Sequence, residues 1–232
     1  MTTTPCSASS AAPTWRAVST PATRRAAAGV PVGRRARGAS RRAGQLPRPG
    51  RFGRRFIDVA ADELLADVVY QIGALQAIAH AAGSSVCYVK PHGALYNTIV
   101  THPAQAAAVA EAVRLVDPGL PVLGMAGSVF FDEAARRGLR VVAEAFADRA
   151  YRPDGRLVSR REPGAVLADP AAIAERVLAM VDTGAVTAVN GTRLELSVES
   201  VCVHGDSPGA VQIATAVRDR LRAAGVEIRA FC

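Results

Sequence analysis

The stretch Ser85-Val86-Cys87-Tyr88-Val89-Lys90-Pro91-His92-Gly93-Ala94-Leu95-Tyr96-Asn97 decides how this 232-residue chain is read. Val86 to Val89 is a short apolar run bounded by Ser84-Ser85 and Pro91, the form a buried parallel strand takes. Before it, Leu64, Leu65, Val68, Val69, Ile72, Leu75 and Ile78 recur at spacings of three and four between Asp62 and Ala82. That spacing predicts an amphipathic helix, which Gly83 can end as a left-handed cap. After it, Pro103 opens a second helix running to about Val116.

The alternation repeats outward. A strand is expected near Val122 to Met125, then a helix from a Ser128 N-cap to Arg137, and a strand from Arg140 to Phe146. A Pro- and Gly-rich loop covers Asp148 to Asp169, and Asp169-Pro170 starts a helix ending near Gly184. Val186 to Val198 reads as a polar hairpin or loop. A strand from Val201 to Val203, a helix from Ser207 to Ala224 and a last strand from Val226 to Phe231 complete the pattern. Such alternation means α/β architecture: a parallel sheet or barrel with helices packed outside.

At 50% hydrophobic, the chain has material for one α/β domain with a sizeable core. Its net charge of +8 is unevenly spread. Residues 1–55 hold 12 arginines and no Lys, Asp or Glu; the remainder holds 16 basic and 20 acidic residues, a net −4. The mildly acidic remainder argues against a nucleic-acid partner, because the basic excess that would recruit phosphate lies in one segment. Cys6, Cys87, Cys202 and Cys232 form no CxxC pair, and Cys87 and Cys202 sit in apolar runs where a thiol packs as a small hydrophobe. A reducing cytoplasm is the expected location. Charges and Gly-Pro breaks interrupt every apolar run, so no membrane span is expected.

Residues 1–50 are mostly Ala, Arg, Pro, Ser, Thr and Gly, with Trp15 as the sole aromatic and almost no Leu, Ile or Phe, too little apolar surface to offset ordering entropy. They are expected to form a disordered segment before a folded domain at 51–232. Their origin has three readings: a tail, an acid-poor targeting peptide, or translation in a wrong reading frame, the last being preferred.

Parallel β/α folds gather chemistry where strands end. Three segments place polar groups there. In the first, Lys90, the chain's only lysine, stands two residues before His92, with Gly93 allowing close backbone approach and Asn97 and Tyr96 able to orient a substrate, Tyr96 being equally readable as packing. In the second, Glu144-Ala145-Phe146-Ala147-Asp148-Arg149-Ala150-Tyr151, the two-residue period puts Glu144 and Phe146 on one side. Asp148 and Arg149 are either a loop-shaping ion pair or a base and a carboxylate grip. In the third, Cys202-Val203-His204-Gly205-Asp206-Ser207-Pro208, Asp206 or Ser207 can cap the following helix. Alternatively, His204 and Asp206 join His92, with Asp148 as a further donor, in a divalent-metal site. His80 and His102 lack suitable neighbours and read as structural. Gly124-Met125-Ala126-Gly127-Ser128 can cradle a phosphate but lacks a P-loop ending.

Taken together, Phe52-Gly53-Arg54-Arg55, Tyr70-Gln71-Ile72-Gly73-Ala74-Leu75, Val89 to Asn97, Ala126-Gly127-Ser128, Glu144 to Tyr151 and Val203-His204-Gly205-Asp206 resemble the LamB/YcsF family, in the family's order. Members form the A subunit of the prokaryotic 5-oxoprolinase. The resemblance implies a β/α barrel of the glycoside hydrolase and deacetylase type, working with 5-oxoprolinase subunits B and C. The implied reaction is ATP-dependent opening of 5-oxoproline to L-glutamate. On that reading Lys90, His92, Asp148, His204 and Asp206 are catalytic, and Asn97, Arg149, Tyr151, Gly93 and Gly205 bind substrate. ATP, and a divalent metal on His92, His204 and Asp206, are the expected cofactors.

The family's opening acidic strand motif and its Gly-Phe-His-Ala-Gly-Asp motif have no counterpart here, so the barrel is expected to be incomplete at its N-terminus. Two rival readings follow: a metal-dependent deacetylase or carbohydrate hydrolase of the same superfamily, and an inactive remnant that binds partner subunits.

Overall fold

The computed structural model describes residues 56–196, 198–205 and 209–229. Expectations for residues 1–55, for Asp206, Ser207 and Pro208, and for the last three residues lie outside these. Within them the α/β alternation is present. Helix α1 (Ala61–Ala81) is followed by a single parallel bridge at Val89, then α2 (Gly93–Thr98) and α3 (Pro103–Val116). Then come β1 (Val122–Gly124), α4 (Val129–Arg136), β2 (Val141–Phe146), α5 (Pro170–Thr183), the hairpin β3 (Ala185–Thr187) and β4 (Arg193–Glu195), β5 (Ser200–Cys202) and α6 (Ala210–Ala223).

The sheet runs Val89, β1, β2, β5, all parallel. Its described strands form an open sheet. Of the apolar run 86–89, only Val89 pairs, with Val122, and Cys87 is exposed rather than packed as a small hydrophobe. The expected last strand is also absent over 226–229, where Ile228 is half exposed. An extended segment becomes a strand only when a neighbouring edge takes its hydrogen bonds, and among the described residues neither 86–88 nor 226–229 is paired in a ladder.

Helix ends follow local chemistry. Asp62 and Glu63 in the first turn of α1 suit the positive end of the helix dipole. Asp169 Oδ1 accepts from the amides of Ala171 and Ala172 at 2.9 and 3.4 Å, Pro170 needs no partner at the first helical position, and Gly184 closes α5 at φ 59°. His102 is structural, its Nδ1 accepting from the Gln105 amide at the start of α3.

Two helical layers cover the sheet. Leu64, Val68 and Ile72 of α1, at four-residue spacing, pack on the alanine-rich α3 around Ala106, Val109 and Val113. Small side chains on α3 let the helices approach closely. By length and composition α1 is apolar enough to cross a membrane; here its buried stripe is the inner wall of this layer. Ile173, Val177 and Leu178 of α5 meet Ile213, Val217 and Leu221 of α6, with Ala147 and Val203 beneath. Each Val, Leu or Ile among these contributes about 1.5–3 kcal/mol on burial.

Candidate active site

Register builds the site. Phe146 pairs with Cys202 across parallel strands, so Asp148 and His204, each two residues further on, point the same way as that pair. Glu144, Phe146 and Asp148 therefore form one column and Cys202 and His204 the next, while Ala147, Val201 and Val203 turn to the helices. Lys90, one residue past the Val89 bridge, enters from the far side of β1.

The first pairing is Lys90 with Glu144. Lys90 Nζ donates to Glu144 Oε1 at 2.6 Å and lies 3.2 Å from Cys202 Sγ. Only 14% of the lysine side chain and 1% of the glutamate are exposed. Tyr96 donates to Glu144 Oε2 at 3.4 Å, and its ring meets Phe146 edge-on at 5.5 Å. Burial works against the lysine charge, but Glu144 and Cys202 more than offset it, so Lys90 is raised above its ordinary value. Burial also raises Glu144, against the pull of Lys90. Burial, with Glu144 close by, pushes the Tyr96 phenol well above its usual range, and burial takes the Cys202 thiol up to about 11. Cys202 is thus more than a packed hydrophobe.

The second pairing is His204 with Asp148. His204 Nδ1 lies 2.7 Å from Oδ1 and 3.0 Å from Oδ2 of Asp148, which is fully buried. Burial favours the neutral acid, but the hydrogen bond and charge of His204 outweigh it, and Asp148 is held below the ordinary carboxylate value. The His204 ring stacks on Phe146 at 5.6 Å and 18°, and Lys90 Nζ stands 5.5 Å from the same ring. Phe146 therefore joins the two pairs into one constellation.

Other candidates are placed differently. His92 is exposed at the N-cap of α2, Asn97 donates back to the Gly93 carbonyl at 2.9 Å, and Gly205 is an exposed turn residue. Gly93 has φ 65°, a conformation that favours glycine. Arg149 is buried and donates to the carbonyls of Val158 and Ala165, holding the 149–166 loop. Its guanidinium, lowered by burial and by Arg160, faces backbone oxygens in place of the carboxylate grip. The Tyr151 hydroxyl accepts from the Phe146 amide at 2.9 Å, and burial raises it to about 12. Asp206 lies outside the described residues.

Two further expectations concern a phosphate and a metal. At the expected phosphate cradle before α4, the Ser128 amide bonds the Met125 carbonyl, and the next two amides, of Val129 and Phe130, bond the carbonyls of Val100 and Ile99. Ser128 stands at the N-cap, but its buried hydroxyl makes no capping bond. For the metal, no three His, Cys, Asp or Glu donors come together among the described residues. His204 turns Nδ1 to Asp148, His92 stands exposed, and Asp206, the remaining donor of the expected set, lies outside the described residues.

Glu144 and Cys202 join the site although the sequence did not mark them as site residues, and Tyr96, readable as substrate-orienting or as packing, joins it through Glu144. The signal for Glu144 was present in its two-residue spacing from Phe146 and Asp148. For Cys202 it lay in a strand register that no single segment displays.

Residues 46–232 match the LamB/YcsF family. The chain is 98% identical over 181 residues to the 5-oxoprolinase A subunit of Mycobacterium avium (strain 104), covering 78% of this chain and 72% of that protein. It is 76% identical, over the same shares, to the 5-oxoprolinase A subunit of Mycobacterium leprae (strain Br4923). Its fold is similar to the crystal structure of a lactam utilization protein from Thermus thermophilus, with a TM-score of 0.72 and 46% identity over 78% of this chain and 72% of that one.

Proposed function

Because this chain belongs to the LamB/YcsF family, we propose that it serves as the A subunit of a 5-oxoprolinase, opening 5-oxo-L-proline to L-glutamate with ATP hydrolysis. The observation that carries this reading is the 98% identity to a protein of that name, with both buried pairs inside the matched residues. On this reading the open parallel sheet is part of a β/α barrel, and the chain works with subunits B and C in the cytoplasm.

The chemistry asks for three things. A water must lose a proton as it adds to the lactam carbonyl, the ring C–N bond must break, and the departing nitrogen must gain a proton. His204, presenting Nδ1 to Asp148, keeps Nε2 to take the proton from water and return it to nitrogen. Asp148 fixes that tautomer and stabilises the imidazolium formed in between. Lys90, held by Glu144, supplies a positive charge beside Phe146 for an anionic group of the substrate or of ATP. An unactivated lactam opens slowly; transfer of the γ-phosphoryl group of ATP to the amide oxygen, with ADP leaving, overcomes that barrier, and after the C–N bond breaks a second water releases the phosphoryl group as inorganic phosphate.

The test uses the full chain combined with subunits B and C, 5-oxo-L-proline and ATP, with glutamate release as the readout. Release that needs all of these components is expected. No release, when the Mycobacterium avium relative is active in the same assay, overturns the reading.

A further inference from the structure

The turn that carries Asp148 is held from outside the site. Arg176, on α5, donates Nη1 to the carbonyls of Phe146 at 3.1 Å and Ala147 at 2.8 Å, and Nη2 to the carbonyl of Arg149 at 2.9 Å. Its guanidinium lies 5.6 Å from the centre of the Tyr151 ring. Tyr151 in turn accepts from the Phe146 amide. Arg176 thus bonds the carbonyls on both sides of Asp148, at the end of β2 where the ladder to β5 stops after the Ala147 amide bonds the Cys202 carbonyl. Beyond that point the ladder to β5 no longer holds the Asp148 backbone in line with His204; the Leu167 amide on the Asp148 carbonyl and the Arg149–Val166 bridge tie it to the 149–166 loop instead.

We propose that Arg176 is a positioning residue for the His204–Asp148 pair, fixing the turn 146–149 so that Asp148 meets Nδ1 of His204. The inference rests on the proposed lactam-opening role for its kinetic arm only. The reason lies in the shape of the group. A planar guanidinium offers a fork of donors in fixed directions, which suits three carbonyls fanned around one turn. An ammonium is a single point and cannot reach all three at good angles. Burial lowers the Arg176 guanidinium somewhat, with Tyr151 and Asp148 opposing, yet arginine stays charged under any ordinary condition. The three carbonyls therefore keep their donor at every pH at which the protein folds.

The test compares Arg176→Lys and Arg176→Met with Val177→Ala, a change in the buried core of the same helix that leaves the clamp intact. Two measurements are made on the full chain. The first is the proton NMR signal of His204 Nδ1–H, assigned by its loss in His204→Gln. In the wild type and Val177→Ala it lies downfield, as a proton hydrogen-bonded to a carboxylate does. In both Arg176 variants it is expected to move upfield or exchange away. The second is glutamate release with subunits B and C and ATP. Both Arg176 variants are expected to lose about tenfold or more in kcat with KM changed less than about twofold, the pattern of a mispositioned general base. Val177→Ala is expected to keep kcat although its melting temperature falls. An unmoved Nδ1–H signal in Arg176→Met overturns the proposal, as does a kcat loss in Val177→Ala matching that of the Arg176 variants. If wild type releases no glutamate, the function reading fails while the NMR measurement still decides the clamp.

Discussion

Replacing Lys90 by methionine keeps the length of the side chain and removes its charge, leaving Glu144 buried with 1% of its side chain exposed. Breaking a buried pair from one side costs about 3–5 kcal/mol, because an uncompensated charge stays in a medium of low polarity. For a domain of this size that corresponds to a fall in Tm of roughly 6–20 °C. The loss has a ceiling, since Glu144 can take up a proton instead of remaining an anion. Its folded-state value, already raised by burial, rises further once Lys90 no longer opposes it. The sign follows. A group whose folded value is raised adds stability below its unfolded value, near 4.3 for glutamate, and loses that contribution as pH rises through the folded value. The Lys90→Met deficit is therefore largest at neutral pH and shrinks towards about pH 4.3. Adding Glu144→Gln removes the charge altogether and is expected to recover at least about 1–2 kcal/mol at neutral pH. Urea denaturation across the pH range measures all of this. A single variant within about 1 kcal/mol of wild type at neutral pH, or a deficit that does not shrink in acid, would refute the buried-pair reasoning.

Asp148→Asn tests the other pair with the opposite sign. The folded value of Asp148 is lowered, so its stabilisation is present above about 3.9 and fades as pH falls through the folded value; the variant should be less stable above that range and converge with wild type in strong acid. Tyr151→Phe leaves the buried Phe146 amide without its acceptor and should cost about 1–3 kcal/mol in urea, with a change below about 0.5 kcal/mol counting against that bond. Asp169→Ala removes the acceptor of two α5 amides and should cost about 1 kcal/mol, with calorimetry as the check. His204→Ala should abolish glutamate release in the reconstituted enzyme and also lower Tm, since it leaves the buried Asp148 carboxylate without its partner; turnover at the wild-type rate would remove it from the mechanism.

How far these features could be read from the chain depends on whether the forces behind them are local. The cap Asp169-Pro170, the end at Gly184 and the stripe Leu64, Val68, Ile72 arise within one or two helical turns, and their sequence spacing states them directly. Asp148 and His204 stood out because each follows an apolar strand. What aligns them is the pairing of Phe146 with Cys202, a register that exists only once two distant segments meet. The edges of the sheet were misjudged for the same reason: 86–88 and 226–229 have strand composition, but composition cannot supply a neighbour.

Arg176 shows the limit most clearly. A helical arginine near Glu175 reads as surface charge, and Glu175 does pair on the surface, with Arg220. Nothing in the helix pattern says that the next residue turns inward to bond three carbonyls. Those carbonyls lie where the β2–β5 ladder ends, and buried backbone oxygens must find donors. The end of a strand that carries a catalytic candidate is thus also where a distant side chain is required. Strand-end motifs identify the reacting groups, and the unpaired carbonyls beside them point to the residues that hold those groups in place.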